Sequence, residues 1–267
     1  TVADHYTKSD ADTLLAAKAT VANFTSTGID DNATSNAITI DANENVTLTK
    51  SRNDTSANLT LLNSQSSGYG TAIDFNTGAN GGYTLGRIDT ENNSTGGMLR
   101  FFTSNTSEVV TERMRIDSAG IVTTPYQPAF NVGLSAAQNN IAASTPVTIL
   151  FNSEIFDQNH DFNPSTYTFT APVTGKYKLE VMLRLNNVYQ NAGYYHIYFQ
   201  TSNRAYYSII SQGGFASDTQ YWTMNCPVFA DMDSGDTAFV QIYQAGGTAQ
   251  TDINSGTESL FSGYLVA

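Results

Sequence analysis

Aromatic side chains are spread so unevenly along this chain that its two halves cannot be built the same way. Of the 30 Phe, Tyr and Trp residues, 7 precede residue 126 and 23 follow it. Rings carry the largest apolar area a core can bury. The roughly 140 residues after that step are enough to bury close to 70% of their unfolded surface and so hold an independent core. The stretch before it is dominated by Asn, Thr, Ser and Gly. Pro125 and Pro128 flank the step, as a stiff, non-helical connection requires.

Residues 1–125 show one helix signal. Ser9 with Asp12 three positions on leads into Leu14, Leu15, Ala16, Ala17 and Val21, a capping pattern that predicts a short helix over about 9–22. A helix that short is marginal alone, so it is either bundled with copies of itself or a frayed terminus. Short β-prone runs follow at Ala37–Ile40, Val46–Leu48, Leu59–Leu62, Thr71–Phe75 and Met98–Phe102, separated by polar and Gly-rich turns. Too few large apolar residues occur here for a private core, whereas three chains wound together would bury them. A faint repeat also appears: Ile40-Asp41, four residues, Val46-Thr47 is matched by Ile116-Asp117, four residues, Val122-Thr123.

After residue 125, strands are expected at Ala129–Leu134, Val147–Phe151, Thr166–Thr170, Lys176–Leu185, Tyr194–Gln200, Arg204–Ile210, Tyr221–Phe229, Ala238–Tyr243 and Ser259–Val266. Turn signals recur about every ten residues, the pattern of an all-β sandwich. Along Tyr194–Gln200 both faces are large: Tyr195, Ile197 and Phe199 on one, Tyr194, His196 and Tyr198 on the other. A solvated strand is polar on one side. Tyr194, His196 and Tyr198 are therefore candidates for contact with another subunit, with a sugar-stacking surface as the alternative.

Net charge is -12, and each half contributes -6: 8 basic and 14 acidic groups before residue 126, 4 and 10 after it. That field and the lack of any Lys/Arg cluster argue against a nucleic-acid partner. No run of about 20 apolar residues exists, so membrane insertion is not expected. Thr1 in place of an initiator Met fits a processed product or a piece of a longer chain. Cys226, alone in the chain and set between Met224 and Val228, reads as a core packer rather than a nucleophile.

No catalytic or phosphate-binding motif occurs, His5, His160 and His196 are scattered, and neither an enzyme nor a cofactor is expected. Asp231, Asp233 and Asp236 form the one tight carboxylate group. They are weak candidates for a hard cation, against the plainer reading of a solvated turn bent at Gly235. Asn-x-Ser/Thr triplets such as Asn32-Ala33-Thr34 and Asn58-Leu59-Thr60 arise by composition in an Asn/Thr-rich segment.

Two resemblances sharpen this. Met98-Leu99-Arg100-Phe101-Phe102-Thr103-Ser104 and Glu112-Arg113-Met114-Arg115-Ile116-Asp117-Ser118-Ala119-Gly120 resemble shaft segments of bacteriophage tail fibres, with Ile121 where those usually carry Asn. Asp4-His5-Tyr6-Thr7-Lys8 is similar to fibre attachment segments. In the second half, Phe151, Asp157, Phe162, Phe169 and Gly175 precede Tyr177, Leu179 and Val181 with the spacing of the C1q-like family. Leu179 and Val181 stand where that family has Phe and an aromatic. Pro128 to Leu134 resembles its first strand, and Phe261-Ser262-Gly263-Tyr264-Leu265 its last. Gly175 is read as a turn residue whose lack of a side chain lets the chain reverse.

The fold expected is therefore all-β: a trimeric β-rich fibre shaft with a short N-terminal helix over 1–125, then a tumour-necrosis-factor-like jelly-roll β-sandwich over 126–267. The resemblance implies a homotrimeric virion fibre that meets other tail or fibre proteins and binds a bacterial surface glycan or outer-membrane protein. A trimerisation clamp without receptor binding, and a polysaccharide-depolymerising tailspike, are the alternatives. In the C1q-like jelly roll both termini lie at one end. Counting antiparallel strands back from that end puts Asn187–Gly193, Ser211–Gln220 and Gln244–Glu258 at the free apex. Tyr189, Phe215, Asp218, Tyr221, Asp252 and Asn254 are accordingly the receptor-binding candidates, while the aspartate group falls near the shaft.

Overall fold

The computed structural model describes residues 38–40, 46–48, 70–76, 84–93 and 96–267, the first two segments as backbone. The helix expected over 9–22 and the strand at Leu59–Leu62 lie outside the described residues. The chain divides into two compact units, Thr1–Leu62 and Asn63–Ala267. In the first, β1 (Ile38–Ile40) pairs antiparallel with β2 (Val46–Leu48), joining Ile40 to Val46.

In the second unit β3 (Ala72–Asn76), β4 (Thr84–Asn93), β5 (Gly96–Ser104), β6 (Val110–Ile116) and β7 (Val122–Thr123) form an antiparallel meander in sequence order. The β6–β7 hairpin joins Ile116 to Val122. Both copies of the sequence repeat thus form the same pairing, and in the second copy Asp117 accepts the Ala119 and Ile121 amides at 2.9 Å each, with Gly120 at φ 81°. Asp89 is the one buried residue among those described before Pro128. The sheet has no core of its own. β4 and β6 were not expected from sequence because charged and polar residues interrupt their apolar ones.

The remaining strands are β8 (Ala129–Gly133), β9 (Val147–Thr148), β10 (Ser153–Asp157), β11 (Phe162–Asn163), β12 (Thr168–Thr170), β13 (Gly175–Val188), β14 (Tyr194–Thr201), β15 (Ala205–Ser211), β16 (Thr219–Met232), β17 (Thr237–Gln244), β18 (Asp252–Ile253) and β19 (Leu260–Leu265). They form a jelly-roll sandwich. One sheet has the order β10-β8-β19-β13-β16 with β18 on β13; the other has β11-β12-β17-β14-β15 with β9 on β17. All nine expected strands are present, with shifted bounds. β9 stops at Thr148 because the Phe151 amide turns back to Ile149 O at 3.0 Å. β12 begins late because Tyr167 has φ 59°. β10, β11 and β18 carry no sequence alternation clear enough to predict them.

The signature residues meet in space. Phe130 stacks on Phe169 and Phe162, with ring centroids 4.7 and 5.4 Å away, and meets Phe261 edge-on at 4.9 Å. Tyr177, Leu179, Val181, Leu183 and Leu185 point inward at 0% exposure, as period-two alternation on β13 demands. Gly175 opens β13 rather than sitting in a turn. A Cβ there would lie 2.6 Å from Leu265 Cδ1 and 2.7 Å from Ala267 O, so close approach of the last strand, not chain reversal, requires glycine. Cys226 is buried with its thiol pKa raised by desolvation, as a core packer should be.

Asp157, buried at the end of β10, has a bonding role. Its two carboxylate oxygens accept the Asp161 amide at 3.1 Å and the Phe162 amide at 2.8 Å, closing the turn that delivers Phe162 to the ring cluster. Asp157→Ala would leave two amides unsatisfied. It is expected to lower unfolding free energy by about 1–3 kcal/mol in a denaturant titration, whereas Asp157→Asn, keeping one acceptor, should lose less.

Candidate functional site

The long β13–β16 ladder, from Gly175 opposite Met232 to Val188 opposite Thr219, separates two ends of the sandwich. At one end the chain enters and leaves: the Leu265 amide bonds Pro128 O at 3.0 Å, and the Lys176 amide bonds Ala267 O at 2.7 Å. Asp231, Asp233 and Asp236 lie at this end. Asp231 faces Lys176 at 3.7 Å and Arg204 at 3.3 Å, and Asp236 accepts the Asn203 amide group at 2.7 Å and the Asp233 backbone amide at 2.8 Å. Their oxygens hold a turn together. Among the described residues no three His, Cys, Asp or Glu side chains converge as a metal site.

At the opposite end the candidate receptor residues fall into two groups. In the first, the Gln190 amide bonds Asp218 Oδ1 at 2.7 Å, its side chain bonds Phe215 O, and the Tyr189 amide bonds the Tyr195 hydroxyl at 3.0 Å. Phe215 packs against Trp222, ring centroids 5.3 Å apart. In the second group the Arg184 guanidinium lies 4.2 Å from the Tyr221 ring centroid and is salt-bridged to Glu258, which also accepts from Asn254. Asp252 is fixed by the Asn140 amide at 2.7 Å and by Asn187 at 3.3 Å.

Tyr221 therefore belongs to a strand and is half exposed, at 51%, with an arginine on its ring. Tyr221 and Phe215 are both candidates from the sequence, whereas Arg184, Glu258 and Trp222, which hold them, are not. The β13–β16 register alone could have found Arg184, since Thr223 opposite it is two positions from Tyr221 and so on the same face. Recesses of about 410 and 250 Å³ lie at the chain-entry end instead, the first lined in part by Pro125, Pro128 and Tyr264, the second by Lys176, Asp231 and Ala267. The first borders the segment that joins the meander to the sandwich, and the second lies within the sandwich beside the aspartate turn.

A family model described as "C1q domain" matches residues 129–266, just over half the chain. The chain belongs to the C1q-domain family. Similar solved structures include the globular domain of a zebrafish complement 1qA protein, with 21% identity over 53% of this chain and 98% of that one, TM-score 0.37. Two structures of murine APRIL have 10% and 12% identity, each over 52% of this chain and 99% of theirs, with TM-scores of 0.39 and 0.38. No curated protein matches. C1q domains are generally binding or structural modules that associate with copies of themselves, and proteins bearing them are typically extracellular or secreted. Among the described residues no helix is long and apolar enough to cross a membrane.

On this C1q domain the outer face of β14 carries a third cluster. His196 is its hub, with ring centroids 5.1 Å from Tyr198 and from Tyr243, and 5.5 Å from Tyr194 and from Tyr207. Tyr198 is already buried within one chain, covered by His196 and Tyr207. The surface left open is instead Tyr194, Tyr207 and Ile209, at 38%, 57% and 59% exposure. Tyr207 and Ile209 were missed because the strand pairing that sets them beside Tyr198 and His196 is not visible in sequence.

Desolvation by these rings lowers the His196 pKa, so the native state holds the imidazole neutral. The unfolded chain takes up a proton as pH falls through about 6.5, and the native state does so only lower. Between those points the unfolded form binds more protons, so stability falls with acidification. Thermal unfolding from pH 7.5 to 5 should show a loss in the parent that is smaller in His196→Gln. Equal slopes in the two proteins would remove His196 from the account.

Proposed function

We propose that this chain is the distal part of a bacteriophage tail or head fibre, a homotrimer in which residues 1–125 form the shaft and the C1q domain forms a tip that binds a host-surface glycan or protein. The observation that carries the reading is the apical pair of clusters. Rings from Phe215, Tyr221 and Trp222, with Tyr189 in the adjoining loop, stand near fixed amides, carboxylates and one guanidinium, at the end opposite chain entry. Flat rings flanked by oriented polar groups suit a sugar ring or a polar protein surface. Support also comes from the shaft-like residues Met98–Ser104 and Glu112–Ile116, which sit on adjacent paired strands. The open aromatic surface of β14 and β15 would meet a neighbouring subunit. Three tips acting together would turn weak single-site binding into firm attachment through avidity.

A second reading, a trimerisation clamp with no receptor, has one observation in its favour: the apical polar groups already bond each other, as Arg184 does Glu258 and Gln190 does Asp218.

Light scattering of the full chain at micromolar concentration should give three times 28.8 kDa. Residues 126–267 produced alone should unfold cooperatively, and 1–125 alone should not. With Tyr189, Phe215 and Tyr221 all changed to Ser, the folded trimer should lose adsorption to host cells by about tenfold or more, as expected when several millimolar contacts act together. Parent-like adsorption by that variant favours the clamp.

A further inference from the structure

The meander sheet has two unlike faces. On one, Ile73, Ile88, Phe101 and Met114 stand in register across four strands, and Leu99 and Ile116 form the adjoining pair. On the other, Arg87 bonds Asp74 at 2.5 and 3.0 Å, Arg100 bonds Asp89 at 2.8 and 3.0 Å and pairs with Glu91, and Arg115 pairs with Glu112. Solvent exposure runs against the usual order. The buried member is the carboxylate Asp89, while Ile73 is 43% exposed and the rest of the apolar row only half-buried. The sandwich does not cover this row, for its residues keep that exposure with the whole unit present.

We infer that this apolar face is a second self-contact, covered by the same face of other copies of this chain, with the ion-paired face turned to water. Charge selects the occupant. The strand residues of the meander carry Arg87, Arg100, Arg113 and Arg115 against Asp74, Asp89, Glu91 and Glu112, which sum to zero in a chain of net charge -12. The strands themselves therefore add no net like charge to a contact between copies, the further acids Glu108 and Asp117 lying in the turns between them. One cation reaches this side: Arg113, displaced by a bulge, bonds Thr103 Oγ1 at 2.9 Å and lies 4.7 Å from the Tyr126 ring centroid, at the edge nearest the sandwich.

The inference rests on the self-association proposed above, because the sandwich holds the sheet on a short, fixed link. Gln158 bonds both Thr124 O and Gln127 O at 2.9 Å, and Gln127 bonds Leu265 O at 3.3 Å. Copies joined through their C1q domains present these faces to one another at high effective concentration.

Two methionines provide the test on the unaltered protein. Met114 lies on the apolar face and Met98 on the charged one, and both are half-buried in the single chain. Under dilute hydrogen peroxide, followed by peptide mass spectrometry, Met98 should convert to sulfoxide about tenfold faster than Met114, since susceptibility follows access. Phe101→Asp should erase that difference. Phe102→Asp, one residue along but on the face beside Arg87 and Arg100, should leave it intact. If light scattering of the same sample gives a trimer and the parent oxidises both at equal rates, this contact is wrong while the proposed assembly stands. A monomeric mass removes both.

Discussion

The interaction on which the rest depends is the stack of phenylalanines that ties the two sheets of the sandwich. Phe130 and Phe261 come from one sheet, Phe162, Phe169 and Phe199 from the other, and their rings meet at centroid distances of 4.7 to 5.8 Å. Closely packed rings leave no room for slippage. The last strand can lie beside the first only because Gly263 is bare: a Cβ there would stand 2.8 Å from Phe130 Cε1 and 2.7 Å from Leu179 Cδ2. From that pairing follow the position of both ends of the sandwich segment and, through the antiparallel ladders, the identity of the loops at the far end.

Core positions were legible in the sequence because burial leaves a period. Tyr177, Leu179 and Val181 alternate inward as read, and Tyr195, Ile197 and Phe199 point away from Tyr194, His196 and Tyr198. The role of Asp157 was not legible, although its place in the spacing was, because a carboxylate closing a turn looks in sequence like any surface acid. Partnerships across strands were hidden for the same reason. Arg184 and Tyr221 are 37 positions apart, and Tyr198 and Tyr207 meet only through the β14–β15 register. Candidate residues on loops were therefore easier to name than the strand residues that hold them.

The two aromatic surfaces of this chain differ in kind. Around His196 the rings pack on one another at 5.1 to 5.9 Å and close over Tyr198, leaving a broad apolar rim. At the apex rings and polar groups are mixed instead: a guanidinium lies on the Tyr221 ring, and the Phe215 ring meets Trp222 while its carbonyl accepts from the Gln190 side chain. The first composition suits a dry contact between subunits and the second a wet, adaptable one.

The separation of chain entry from the apical loops also has a mechanical consequence. β8 enters at Ala129 between β10 and β19, antiparallel to both, and the bonds of an antiparallel ladder lie across the strands. Tension between Pro128 and the far loops runs along the strand axes, so it loads those bonds sideways and all together. The ladder must then yield as a unit in shear, and cannot be unzipped one bond at a time.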